Sequence, residues 1–526
     1  MTDRARRARY GPWLLVALIV AFVVAIRVPL LGVPLERDEG EYAYAGQLML
    51  QGIAPYKLAV NMKFPGTYGA YAAIMAVFGQ TIVGIHIGFL LVNAATVVMI
   101  WLLGRRLFGT AAGVAAAAAY ALLSVGAGVN GTQAHATHFV VLFAVPATLL
   151  LLRAFDTGRP STLFWSGLLY GAGILMKQHG VFLAAFGGLA LLWTQRAAGL
   201  AVLRRAALFA AGVCAPLAFT VLALWRAGVI DRFWFWTVTY AREYVTETPL
   251  SVGREAFRFG IRHAVVPALP IWLAAALGLV LIWREKEERA QALFTTGLLV
   301  FSFVAMCPGL YFRLHYFVLI LPAVALLAGA VVASASRLFP RAVWSYGLFA
   351  ALLAFSVFQQ RAFLFTMDPP EVSRAMYGTS PFPEAIEIAA YIRAHSAEGS
   401  TIAVLGSEPE IPFYAGRHSA TGYLYTYPLM ENQLYAPVMQ DEMIREIEAS
   451  RPEYVVFVTH QGSWVRRPDS DPHIFEWWDE YRVAHYKIIG VADIVWPDPT
   501  EYRWEELEKY QPRSPVPVMV YRRTGP

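Results

Sequence analysis

Residues Glu36–Tyr68 read ERDEGEYAYAGQLMLQGIAPYKLAVNMKFPGTY, and this stretch decides how the rest of the chain is read. It follows the first long apolar segment, and further apolar segments succeed it. Arg37, Asp38, Glu39 and Glu41 open it, and Lys57 and Lys63 close it. Charge held this close to a bilayer costs free energy unless it is solvated, paired or functional. The stretch therefore reads as the first outer loop (33–68) and the catalytic floor of a membrane enzyme.

Composition sets the frame for that reading. The 526 residues are 57% hydrophobic and 15% charged, against about a quarter charged in a soluble domain. The apolar segments are too many for a signal peptide plus one anchor. The net charge of +6 does not indicate nucleic-acid binding, because the arginines mostly flank apolar segments, where they set orientation. Cys214 and Cys307 both lie in apolar runs, which argues against a disulfide framework or a cysteine metal site. There is no P-loop, dinucleotide fingerprint or GxSxG elbow. An enzyme on the outer face then needs an energised donor other than a nucleotide, and a lipid-linked phosphosugar fits the outer cations.

Working outward, residues 12–32 form an apolar run behind a basic N-terminus, which predicts a span entered from the cytoplasm. Residues 66–78 are too short for an upright span, so they read as a partial one. Ten further apolar runs follow, at 81–103, 110–128, 134–153, 161–176, 180–194, 205–225, 264–283, 291–307, 314–335 and 342–360. Threading them puts ten basic residues from Arg153 to Arg341 on the cytoplasmic side. Arg37, Lys57, Lys63, Lys177, Arg242 and Arg313 fall outside, as if to meet an anionic ligand. Residues 227–263 read as a long outer loop whose Trp234, Trp236 and Tyr240 suit a lipid-facing aromatic belt. After residue 360 the apolar runs stop. Helix-like EAIEIAAYIRAH and strand-like TIAVLG, PEYVVFV, HYKIIGVADIV and VPVMVYRR predict a small α/β domain.

Asp38-Glu39 is the leading candidate for proton abstraction from an acceptor hydroxyl. The alternative is a helix cap, with Asp38 as N-cap and Glu41 completing a capping box. Lys63 is placed to hold a phosphate at the lipid–water boundary, or else to snorkel. Lys177, in Lys177-Gln178-His179, either binds phosphate or acceptor or only punctuates a turn. His135 and His138 stand on one helical face, a spacing compatible with a metal. No third ligand is evident nearby, so no divalent metal is indicated, and sugar hydrogen bonding or a plain helix end is preferred. Arg313 and His315 open a late span, where Arg313 is the better phosphate ligand.

The run RDEGEYAYAGQLMLQG, then KFPGTY, then a span ending GRRLFG resembles the GT-C glycosyltransferases. It is similar to the bacterial branch of protein O-mannosyltransferases and lipid A aminoarabinose transferases. RLHYFVLILPAVALLAG and VLGSEPEIPFYAGRHSATGY extend the likeness. The resemblance implies an α-helical multi-pass membrane bundle of about 11–13 transmembrane helices. Residues 1–360 would form it, and residues 361–526 a small periplasmic α/β domain. It implies a glycosyltransferase that takes sugar from a polyprenyl-phosphate donor to an envelope glycan, lipid or protein at the bacterial inner membrane. The N-terminus would be cytoplasmic. Asp38 would be the base, with Glu39 as second choice. Lys63, Arg313 and Lys177 would hold the donor phosphate, and Glu41, Tyr44, His135 and His315 would contact substrate. This chain reads KFPG where some relatives read KPPL. The rival reading is a multi-pass transporter or lipid-linked sugar flippase, which predicts repeated halves and midplane charges.

Overall fold

The computed structural model describes residues 3–338, 343–505, 507 and 509–525. The N-terminal portion is a helical bundle. Its first nine long helices are α1 (Asp3–Arg27), α2 (Arg37–Leu50), α3 (Gly66–Phe78), α4 (Ile82–Phe108), α5 (Thr110–Leu123), α6 (Ala136–Thr157), α7 (Pro160–Met176), α8 (Gly180–Thr194) and α9 (Ala201–Arg226). Among the described residues six helices are long and apolar enough to cross a membrane, and five shorter apolar helices accompany them. The basic residue Arg341 lies outside the described residues.

Local chemistry sets the helix ends. The Thr81 side chain accepts the Gly84 N–H at 3.0 Å and caps α4. Gly109, at φ 91°, ends α4 in a conformation that other residues adopt only with strain. α3 has 13 residues, or about 20 Å at 1.5 Å per residue, short of a 30 Å hydrocarbon core. The helix Leu321–Leu338 is apolar and buried over its first ten residues, as befits a bundle centre. By contrast α9 leaves Phe219, Leu222 and Trp225 exposed, as a lipid-facing helix does.

The glutamate-rich stretch is more ordered than a loop. α2 begins at Arg37, two residues after Leu35, and its cap is Glu36, whose Oε1 accepts the Glu39 N–H at 3.0 Å. This sets aside the alternative reading of Asp38 as the cap. Moving the cap back to Glu36 releases the Asp38 carboxylate from the helix end. Residues 227–263 likewise are not a plain loop. They form two short helices, Ile230–Trp234 and Ala241–Thr246, on either side of a π-helical turn Phe235–Tyr240, and then the helix Leu250–Val265. Trp234 is exposed, but Trp236 and Tyr240 are buried against Tyr423 and Glu431 of the C-terminal portion. The aromatic-belt expectation therefore fails for those two residues, because a second protein surface covers them.

The C-terminal portion contains a six-stranded sheet in the order β2-β1-β3-β6-β4-β5. The strands are β1 (Thr401–Leu405), β2 (His418–Ser419), β3 (Tyr454–Val458), β4 (Tyr486–Asp493), β5 (Glu501–Trp504) and β6 (Val518–Arg523). β2, β1 and β3 are parallel, and β6 pairs antiparallel with both β3 and β4. This portion sits on α2. Gly40 permits the approach, since a Cβ there would fall 2.6 Å from the Glu410 backbone nitrogen. Arg37 reaches across to the Ser407 carbonyl at 2.5 Å and Glu408 Oε1 at 3.0 Å. The Val60 N–H donates to the Gly422 carbonyl at 2.9 Å.

Candidate active site

A cavity of about 620 Å³ lies where the bundle, the segment after α2 and the C-terminal portion meet. Asp38, Lys63, His135, Lys177, Arg313 and His315 all line it, with Tyr425, Tyr427 and Glu431 from the C-terminal portion. Residues distant in sequence reach it because they sit at helix ends on one side of the bundle. His135 precedes α6, Lys177 follows α7, and Arg313 and His315 precede Leu321–Leu338.

Asp38 is the hub. Its Oδ1 accepts from Lys63 Nζ at 2.6 Å and from the Tyr425 hydroxyl at 2.7 Å. Its Oδ2 faces two imidazoles, His135 Nδ1 and His315 Nε2, each 3.8 Å away. Burial pushes this carboxyl up, but the neighbouring cations, Lys63 above all, outweigh burial and hold it well below the usual carboxylate range. It is therefore ionised at neutral pH. Burial also opposes charge on Lys63, and Asp38 and Glu41 more than offset this and raise its pKa. Glu41 completes the cluster by accepting from Lys63 and, at 2.5 Å, from the Tyr68 hydroxyl. Lys63 thus meets the cavity already paired with two carboxylates.

Lys177 is different. Its ammonium stands 4.5 Å above the Tyr316 ring. Burial lowers its pKa to about 8, and among the described residues no carboxylate forms an ion pair with it, although it lines the cavity. Burial lowers the His135 pKa to about 4, so that ring is neutral at pH 7.

The structure departs from the sequence reading at several residues. Glu39 is fully buried and turned away from the cavity. Its Oε1 accepts the Ala134 N–H at 2.6 Å and lies 3.2 Å from His86 Nε2. It is a scaffold group at this position, since a helix turns each successive side chain by about 100°. Tyr44 is also buried away from the cavity, its hydroxyl accepting the Ser419 N–H at 2.8 Å. Glu41 reaches the site only through Lys63 and Tyr68. His138 packs edge-on against Phe89 and does not join His135. The neighbours of His135 are instead Glu36, whose Oε1 lies 3.5 Å from its Nδ1, Asp38 at 3.8 Å and the stacked ring of His315. Tyr425, Tyr427 and Glu431 have no local signal in the sequence, since they reach the cavity from almost 400 residues beyond Asp38.

A bundle of apolar helices with acidic residues on its second helix, and a small sheet packed over them, has the fold of the GT-C glycosyltransferases. Comparison with known proteins agrees with that class. Residues 65–225 match the sequence family described as Dolichyl-phosphate-mannose-protein mannosyltransferase. The chain is similar to the undecaprenyl phosphate-alpha-4-amino-4-deoxy-L-arabinose arabinosyl transferase of Pseudomonas aeruginosa, with 32% identity over 237 residues, covering 42% of each chain. The corresponding protein 1 of Pseudomonas fluorescens is 27% identical over 317 residues, covering 56% of this chain and 54% of its own. The match spans about half or less of these relatives' length. In structure the chain resembles ArnT from Cupriavidus metallidurans bound to undecaprenyl phosphate, with a TM-score of 0.61 and 16% identity over 97% of this chain and 98% of that one. It also resembles the archaeal oligosaccharyltransferase AglB from Archaeoglobus fulgidus, with a TM-score of 0.53 and 11% identity over 96% and 75%.

Proposed function

We propose that this protein is a membrane glycosyltransferase that moves a sugar from a polyprenyl-phosphate donor to an envelope acceptor. The observation that carries the reading is the Asp38 carboxylate, ionised and open at Oδ2 to a cavity that Lys177 and Arg313 also line. The acceptor hydroxyl oxygen attacks the anomeric carbon, and the bond from that carbon to the phosphate oxygen breaks. The hydroxyl proton passes to Asp38, and the polyprenyl phosphate leaves with the electron pair. This is one inverting displacement. Lys177 and Arg313 hold the leaving phosphate, where preorganised positive charge acts most strongly. Lys63 fixes Asp38 and contributes charge at longer range.

Residues 1–360 form the transferase bundle in this reading, and residues 361–526 an outer domain that completes the site. The N-terminus is cytoplasmic, following the basic flanks, and the cavity faces outward at the inner membrane. The names of the similar proteins support a lipid-linked donor. The charges gather at one end of the bundle, which gives the transporter reading no support. Mass spectrometry of lipid-linked sugars and envelope glycans, with and without the protein, tests the proposal. One polyprenyl-phosphate sugar should accumulate and one glycosylated product should vanish. Transport of a lipid-linked sugar with no change in either pool sinks it.

A further inference from the structure

The helix Leu250–Val265 runs on through a turn at Val266–Ala268 into the helix Leu269–Arg284, 35 residues in all. At 1.5 Å per residue that is about 52 Å, well beyond a hydrocarbon core of about 30 Å. One face of Leu250–Val265 is held by the protein. Gly253, Gly260 and Ala264 are buried there, and Phe257 meets Phe312 edge-on with ring centroids 5.0 Å apart. Arg254, Arg258 and Arg262 lie on the opposite face, four residues apart and so on one ridge. All three are exposed, and among the described residues none has an ion-pair or hydrogen-bond partner. Glu255 is the one carboxylate on this helix. Exposed apolar side chains flank the ridge, Leu250 and Ile261 on one side and Val252 and Phe259 on the other. Phe259 also lines the cavity, so the cavity reaches the surface beside the ridge, and none of the three arginines lines it.

Depth follows from the helix rise. Counted from Arg284 at the far end, Arg262, Arg258 and Arg254 stand roughly 33, 39 and 45 Å along the axis. A bilayer with its headgroups measures about 40–45 Å. With Arg284 in one headgroup layer, Arg262 therefore clears the hydrocarbon, Arg258 enters the other headgroup layer and Arg254 reaches its outer edge. Arginine stems bend back toward that layer, so all three guanidiniums gather at phosphate level. We infer that the ridge of Arg254, Arg258 and Arg262 binds the phosphates of anionic phospholipids in the bilayer, beside the mouth of the cavity. Each guanidinium fork takes phosphate oxygens in pairs. Successive forks stand about 6 Å apart, which lets neighbouring headgroups bind side by side. The apolar flanks enter the acyl boundary, as in other basic amphipathic helices at a membrane surface. This surface is distinct from Lys177 and Arg313, which line the cavity itself. Which leaflet it meets rests on the orientation proposed above. The lipid contact rests on neither that orientation nor the transferase reading.

The test uses the full-length protein in a neutral detergent, titrated separately with phosphatidylglycerol and phosphatidylcholine of matched chains. Native mass spectrometry counts the lipid retained. Phosphatidylglycerol should be held at least about tenfold more tightly, and the preference should shrink as salt rises. Arg254→Gln, Arg258→Gln and Arg262→Gln together should remove that preference, and the three changes to Lys should keep most of it. Arg258→Gln alone should cost about fivefold and locates the site if the triple variant fails to fold. Thermal unfolding shows which variants are folded. Lys177→Met should leave retention of phosphatidylglycerol unchanged. Equal retention of the two lipids by the wild type, or no loss in the folded Gln variants, overturns the proposal. Loss in Lys177→Met places the lipid inside the cavity and also overturns it. Displacement by inorganic phosphate alone marks a free-anion site and defeats the lipid assignment. Sugar transfer on the same preparations bears on the transferase reading only, so either can fail without the other.

Discussion

The Glu39 carboxylate accepts the backbone N–H of Ala134 at 2.6 Å, tying α2 to the residue just before His135. His86 Nε2 and the Tyr71 hydroxyl approach the same oxygen at 3.2 and 3.4 Å. Glu39 therefore sets the position of the cavity wall without touching the cavity. Glu39→Ala leaves the Ala134 N–H and His86 without their shared partner, and should cost about 3–5 kcal/mol of stability. Glu39→Gln keeps the shape and should cost about 1–3 kcal/mol. Thermal unfolding in detergent measures both. A Gln variant of full stability and no turnover would return Glu39 to a chemical role.

Asp38→Asn removes the negative charge while its amide oxygen still accepts from Lys63 and Tyr425. Turnover should fall by about 10²–10⁴-fold, with polyprenyl phosphate still bound. Single-turnover transfer and lipid-binding assays on the same protein separate the two effects. Near-normal turnover removes Asp38 from the proposed role.

Lys177 gives the proposal a pH signature. Burial lowers its pKa to about 8, so the ammonium is charged below that pH and neutral above it. Affinity for polyprenyl phosphate should fall as pH rises from 7 to 9 (assay values). Once the phosphate is bound, its charge raises the lysine pKa, which moves the loss to higher pH in the complex. Lys177→Arg should keep affinity flat over this range, because guanidinium stays charged. Lys177→Met should be weak and flat. A wild-type profile as flat as that of the arginine variant counts against a phosphate contact.

Gly40→Ala tests the seam between α2 and the C-terminal portion. The added Cβ would lie 2.6 Å from the Glu410 nitrogen and 2.8 Å from its Cβ. The backbones must part, at a cost of about 1–3 kcal/mol. Limited proteolysis should then cut between the two portions faster than in the wild type. Unchanged cleavage shows that the seam yields without loss.

Much of this was legible in the sequence because it rests on local rules. Apolar runs gave helix after helix: 66–78 is α3 and 180–194 is α8. The four segments read as strands contain β1, β3, β4 and β6. β2 and β5 escaped notice because they are only two and four residues long. Asp38, Lys63, Lys177 and Arg313 stood out as charges in apolar surroundings, and all four reach one cavity. What failed was direction. Adjacent carboxylates Asp38 and Glu39 look alike in sequence, yet helix rotation sends one to the cavity and the other into the core. His135 was paired with His138 by spacing, while the fold pairs it with His315, 180 positions later. Trp236 and Tyr240 were misassigned because nothing local reveals that a second surface will cover them.

The hydrogen bond from Tyr425 to Asp38 joins residues 387 positions apart. At about 5–20 residues per second, the ribosome takes roughly 20–80 s to make the intervening chain. The nascent bundle therefore enters the bilayer with its acidic cluster incomplete and acquires its last phenol only when synthesis is nearly finished. A chain terminated before Tyr425 would keep Asp38, Glu39 and Glu41 but lack the phenol that holds Asp38.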